Sequence, residues 1–204
     1  IAAVLTKLSG DRPRLVLNTL FQGDHTGGNA AFGRTGVIIA HDNVRARLTS
    51  QGKLPASALP VVNYADAVTI HFNGDELALM HLLQGNNDGD TMVWLKKANV
   101  LHMGDQLYNS AFPYIDLGVG GTVDGYIKNL RSVISEMPAD ITITPGQGPI
   151  ADIAAVAECL RVIEGTRQII VSGGSAGTSD VAIAEDLSAF DDWGQDFINT
   201  ARWI

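Results

Sequence analysis

The chain has 204 residues, 46% of them hydrophobic and 18% charged, with 22 acidic against 14 basic side chains. That much apolar material at this length supports one globular core of ordinary domain size and excludes a disordered, fibrous or collagenous chain. A net charge of -8 excludes the basic surface that a nucleic-acid partner needs, since the longest basic cluster is the pair Lys96 and Lys97.

The single cysteine, Cys159, allows no internal disulfide and leaves cytoplasmic and bacterial periplasmic locations both open. No apolar run approaches the ~20 residues of a membrane-spanning helix, so no membrane partner is expected. The chain opens at Ile1 inside a helical pattern, with no secretory signal in view, and reads as the remainder of a longer protein whose start lies upstream.

In chain order, Ala2 to Leu8 reads as the end of a helix stopped at Gly10, and Arg14 to Asn18 as a short buried strand. The polar, glycine-containing stretch Thr19 to Asn29 leads into a short helix through Phe32. A second apolar strand, Gly36 to Ala40, precedes a helix from Asn43 to Gln51 that Asp42 is placed to cap. This strand and helix alternation predicts parallel strands with crossover helices.

The middle of the chain changes character. Ala67 to Phe72, Glu76 to Leu83, Thr91 to Leu95 and Asn99 to His102 read as four short strands, with a hairpin signal at Asn73-Gly74-Asp75, and predict an antiparallel meander. A helix over Asp124 to Met137, a strand over Ile141 to Thr144 and a long helix from about Ala151 to Glu164 follow. Gly173 to Ser179 reads as a Gly and Ser loop, and Asp180 begins another helix. No repeat and no composition shift divides residues 1–204, so a mixed α/β single domain is expected.

The segment Asn18-Thr-Leu-Phe-Gln-Gly-Asp-His-Thr-Gly-Gly-Asn29 lies where a buried strand opens into a loop, the place from which α/β folds present chemistry. It resembles the zinc-binding signature His-x-His-x-Asp-His of the metallo-β-lactamase superfamily. Asn87-Asp-Gly-Asp-Thr91, Val100-Leu-His-Met-Gly-Asp105 and Thr144-Pro-Gly-Gln-Gly-Pro149 follow in the order and spacing of that family's later motifs, so the likeness covers most of the chain. The resemblance implies an αββα sandwich, two mixed sheets face to face with helices outside. It also implies that the fold's N-terminal strands precede this chain.

The same resemblance implies two zinc sites, and the residues present decide what is left of each. The first-metal positions read Leu20, Gln22 and Asn86; the second-metal positions read Asp24, His25, Asp105 and Gln147. Zinc takes imidazole, thiolate or carboxylate donors, and neutral amide oxygens hold it weakly. The first site is therefore expected to be absent. Asp24, His25 and Asp105 remain as a residual, weak metal site and as the candidate catalytic residues. The cofactor expectation is none, or one weakly bound zinc.

Other readings carry less weight. Asp24 with Asp105 would serve as a metal-free acid and base pair only if their pKa values were pushed apart. Gly173-Gly-Ser-Ala-Gly177 matches a nucleophile elbow, but no histidine follows the serine, so a surface turn is expected. The glycine-rich Gly118 to Gly125 lacks the third glycine and the framing of a dinucleotide fingerprint. His71 and His81 read as strand residues, His102 as a partner that orients a ligand, and Trp94, Trp193 and Trp203 as packing residues. The sequence thus predicts a pseudoenzyme with a degenerate metal site and little or no hydrolase activity. Alternatives are a one-metal hydrolase of a β-lactam, lactone or thioester, and a homo-oligomeric interaction module. The substrate is not specified by these residues.

Overall fold

Strands joined through helices pair parallel and strands joined by tight turns pair antiparallel, and the chain contains one block of each kind. The computed structural model describes residues 2–9, 12–195 and 197–203. The first block runs α1 (Ala2–Ser9), β1 (Leu15–Leu17), the short helices α2 (Gly23–Thr26) and α3 (Asn29–Phe32), β2 (Val37–His41), α4 (Asp42–Ser50) and β3 (Val62–Tyr64). The second runs β4 (Ala67–Phe72), β5 (Asp75–His81), β6 (Thr91–Leu95), β7 (Val100–Tyr108), α5 (Val123–Glu136) and β8 (Thr142–Gln147). Three helices follow: α6 (Ile153–Ala176), α7 (Asp180–Asp186) and α8 (Thr200–Trp203).

Strands β1, β2 and β3 form a three-stranded parallel sheet. Strands β4 to β8 form a second sheet in chain order, antiparallel as far as β7, with β8 added parallel to β7 after the α5 crossover. The β4 to β5 hairpin turns at Asn73 and Gly74, both left-handed, as the expected turn signal requires.

Period-two alternation sends each face of the larger sheet to a different core. Leu79 and Val93 meet Ile39 and Tyr64 of the smaller sheet, with Leu15, Leu17, Val68 and Ile70 around them. The opposite face buries Met92, Leu101 and Met103 against Tyr126, Leu130 and Val133 of α5 and Val156, Cys159 and Ile163 of α6. On the far side, Val44 and Leu48 of α4 cover Ala40. Fully burying each such side chain contributes roughly 1.5–3 kcal/mol. The layer order is helix, sheet, sheet, helix, which is the αββα sandwich expected from the motifs.

Several expectations need correction. The smaller sheet is purely parallel among the described residues, where two mixed sheets were expected. Strand β3 and the 3-10 turn Ala56–Ala58 before it carry no strong periodic signal and lie outside the expected elements. The cap of α4 is His41, whose Nδ1 accepts the Asn43 N–H at 3.2 Å, while Asp42 is already the first helical residue. Helix α6 does not stop near Glu164 but runs on through Gly173 and Gly174. A Cβ at Gly173 would come within 2.7 Å of Ile183, so this glycine lets α7 approach and the gained packing holds the helix together. Ser175 therefore sits in the last turn of a helix, in neither a surface loop nor a nucleophile elbow. The stop expected at Gly10 lies outside the described residues.

Candidate metal centre

The end of β1 and the loop after it are held by side-chain hydrogen bonds inside the protein. Asn18 and Asn29 exchange amide hydrogen bonds, Nδ2 of each donating to Oδ1 of the other at 3.0 and 2.8 Å. Asn18 also donates to the His25 carbonyl, and Asn29 donates to the Ala58 carbonyl. These bonds curl residues 18–29 into a tight loop and place α2, which carries Asp24 and His25, at the rim of the sandwich. The Thr19 hydroxyl lies 3.0 Å from His25 Nδ1 and so turns Nε2 toward β7.

Strand β7 delivers the third residue through a break in its pairing. Its register with β8 shifts on either side of Gly104, which takes a left-handed φ of 52°. The irregularity re-aims Asp105 toward the loop. Gly146 on β8 is the complement: a Cβ there would lie 2.2 Å from Asp105 Oδ1, so only glycine lets that carboxylate sit where it does. The Tyr108 hydroxyl donates to Asp105 Oδ2 at 2.9 Å. Burial, with the charge of Asp105 and this bond, pushes the Tyr108 pKa up, so the phenol stays a donor.

Asp24, His25 and Asp105 thereby come together, their nearest ligand atoms all within 4.8 Å of one another. His25 Nε2 stands 3.2 Å from Asp105 Oδ1 and 3.6 Å from Asp24 Oδ2. Asp105 Oδ1 is buried and has no hydrogen-bond partner of acceptable geometry, although His25 is near. Burial lowers the pKa of His25, but the adjacent Asp105 carboxylate, with Asp24 behind it, outweighs that and leaves it raised above 6.5.

The neighbouring half of the rim is different. Leu20 is 1% exposed and belongs to the core. Asn87 Nδ2 donates to Gln22 Oε1 at 3.1 Å and to Asn86 Oδ1 at 2.7 Å, and Asn86 Nδ2 donates to the Tyr114 carbonyl at 2.6 Å. The Asn87 oxygen in turn accepts the Gly89 N–H. Side-chain amides thus form one closed chain in which both acceptor oxygens of Gln22 and Asn86 are already used.

No family model matches this sequence, and no curated protein matches it. Solved structures do match. A metallo-beta-lactamase from Pontibacter korlensis superposes with a TM-score of 0.70 at 15% identity, over 80% of this chain and 74% of that one. The chain has the metallo-β-lactamase fold. The DIM-1 metallo-beta-lactamase gives 0.62 at 18% identity over 73% of this chain and 66% of that one, and TMB-1 gives 0.63 at 18% over 74% and 67%. At such identities the likeness is one of fold, and the site must be judged on its own residues.

For a metallo-β-lactamase fold, the donor chemistry of the two halves gives two answers. Donors about 2.0–2.1 Å from a tetrahedral zinc lie about 3.3 Å apart. The observed 3.2 and 3.6 Å, together with a buried carboxylate oxygen that lacks a donor, fit one divalent cation held by Asp24, His25 and Asp105. Leu20, Gln22 and Asn86 do not fit a second. Gln147, at the fourth position, lines the cleft of about 440 Å³ that opens beside Asp24 and Asp105. A more apolar cleft of about 400 Å³ shares Tyr114 with it, but contributes no metal donor.

His102 does not orient a ligand as the motif suggested. Its Nδ1 lies 3.1 and 3.0 Å from the carbonyl and hydroxyl of Thr144, tying β7 to β8. Burial lowers its pKa. His81 instead stacks on His41, ring centroids 3.7 Å apart, away from the donor group. Sequence reading missed Thr19, Asn87, Tyr108 and Tyr114. The Asn86-Asn87 doublet was the visible hint, since one side-chain amide can donate to the next. Tyr108 lies beyond a bulge that no periodicity shows.

Proposed function

We propose that this metallo-β-lactamase-fold protein has a dinuclear centre reduced to one three-donor site, has little or no hydrolase activity, and works by binding. The closed amide chain through Gln22, Asn87 and Asn86 carries this reading, because it satisfies by hydrogen bonds the positions where a first metal would need free donors. A dinuclear mechanism needs two cations to clamp attacking and leaving groups, and this rim offers donors for one. Zinc incubation followed by removal of free metal should leave at most one ion per chain, removable by a mild chelator, with no turnover of β-lactam, lactone or thioester substrates. Two tightly held ions with enzyme-like turnover would reject the proposal.

The donor spacing around His25 supports a second reading, a hydrolase with a single metal. Asp24, His25 and Asp105 would hold the ion, completed by Gln147 or water, and the ion would supply a hydroxide by lowering the pKa of bound water. Thr19 would fix the His25 ring, and Tyr108 would hold Asp105 in place. Asp105→Ala should then abolish metal binding and turnover together. Turnover that survives the substitution would eliminate this reading.

A further inference from the structure

The cleft beside the three donors is walled unlike a site for a bare metal ion alone. Its lining is Gln22, Asp24, Asp105, Tyr108, Tyr114, Gln147 and Phe197: two carboxylates, two amides and three aromatic rings. Tyr114 and Phe197 already meet edge to face, centroids 5.9 Å apart at 71°. Phe197 is 62% exposed and lines the cleft together with the largely buried Asp105, whose carboxylate supplies negative charge. We infer that this cleft binds a small organic cation, a methylated ammonium of about the size of choline. The inference rests on the reading above, in which no tightly held metal pair fills the rim.

Charge selects the sign of the ligand. With His25 neutral, Asp24 and Asp105 give the group a net charge of about -2; with His25 protonated it is about -1. The site attracts a cation in both states. The walls select the kind of cation: a hard hydrated ion gains nothing from aromatic rings, whereas methyl-covered ammonium groups sit favourably over ring faces. The Arg202 guanidinium, 4.6 Å from the Phe197 centroid, already takes one face of that ring, so the cation is left chiefly to Tyr114, the ring that the substitutions below test. The volume of about 440 Å³ lies in the range of pockets for small molecules.

Calorimetric titration of the chelator-treated chain with choline and with tetramethylammonium tests this. Both should bind saturably, and the neutral tert-butyl analogue of choline, with carbon in place of nitrogen, should bind at least about tenfold more weakly. Tyr114→Leu, which keeps an apolar side chain but removes the ring, should weaken choline about tenfold, while Tyr114→Phe retains it. Asp24→Asn, at an exposed position, should also weaken it without unfolding the chain. Equal binding of choline and its neutral analogue, equal affinity of the Leu and Phe variants, or no saturable binding overturns the inference. Zinc content and hydrolysis are separate measurements, so failure of the binding arm leaves the reading of the metal centre standing, and two-zinc hydrolysis removes that reading whatever choline does.

Discussion

The two halves of the rim have the same fold behind them and opposite chemistry in front. Around Gln22, Asn86 and Asn87 every amide oxygen has a partner, and Asn86 and Asn87 are fully buried. Around His25, two carboxylates converge on one imidazole and a buried oxygen is left without a donor. The amide oxygens of the first half are satisfied by neutral hydrogen bonds, while Gln22 Nε2 is buried without a partner. The second carries excess negative charge in a partly desolvated place and favours a cation or a proton. The two halves therefore differ in kind: one is held by its own hydrogen bonds and the other favours a counter-charge.

Substitutions sharpen that contrast. Asn86→Ala removes a fully buried amide, the donor to the Tyr114 carbonyl and one acceptor of the Asn87 amide, so denaturant unfolding should show a loss of roughly 2–3 kcal/mol. A loss under about 0.5 kcal/mol would mean the amide chain is not structural. Asp24→Ala on the other half should change stability by less than about 0.5 kcal/mol, because the side chain is 61% exposed, and yet abolish retention of one zinc.

Acidity offers a second comparison. Burial pushes the Asp90 carboxyl up to about 8, so the folded chain keeps a proton that the unfolded chain releases near 3.8. Its contribution is therefore greatest below pH 3.8, falls as pH rises and levels off above about 8. His25, raised above 6.5, contributes stability that is present below 6.5 and lost as pH rises through its folded value. His81 and His102, lowered by burial, act in the opposite sense only below 6.5. Stability should consequently fall between pH 6.5 and 8, and Asp90→Asn should flatten most of that slope in a series of thermal melts. An unchanged slope would place the Asp90 proton elsewhere.

Much of the architecture is legible in local pattern. Strand β6 falls on Thr91 to Leu95 as alternation and turn signals place it, and the meander from Ala67 onward follows from tight connections between short apolar runs. The residual group of Asp24, His25 and Asp105 is legible too, because its members sit in ordered motifs. The continuation of α6 is not: glycines read as loop wherever the helix packing that tolerates them is invisible. Nor is the irregularity at Gly104, where a Cβ would come within 2.9 Å of Thr19 in the loop after β1.

The sequence by itself determined the layer type and the donor inventory, because hydrophobic period and ligand chemistry are properties of short segments. Leucine at position 20 and amides at positions 22, 86 and 147 offer zinc no strong donor in any conformation. Only the tertiary structure decided what these amides do, since residues more than 60 positions apart must meet before one amide can satisfy another. It also left Asp105 Oδ1 without a donor beside three aromatic rings, an arrangement set by strand register and a glycine contact that act at a distance along the chain.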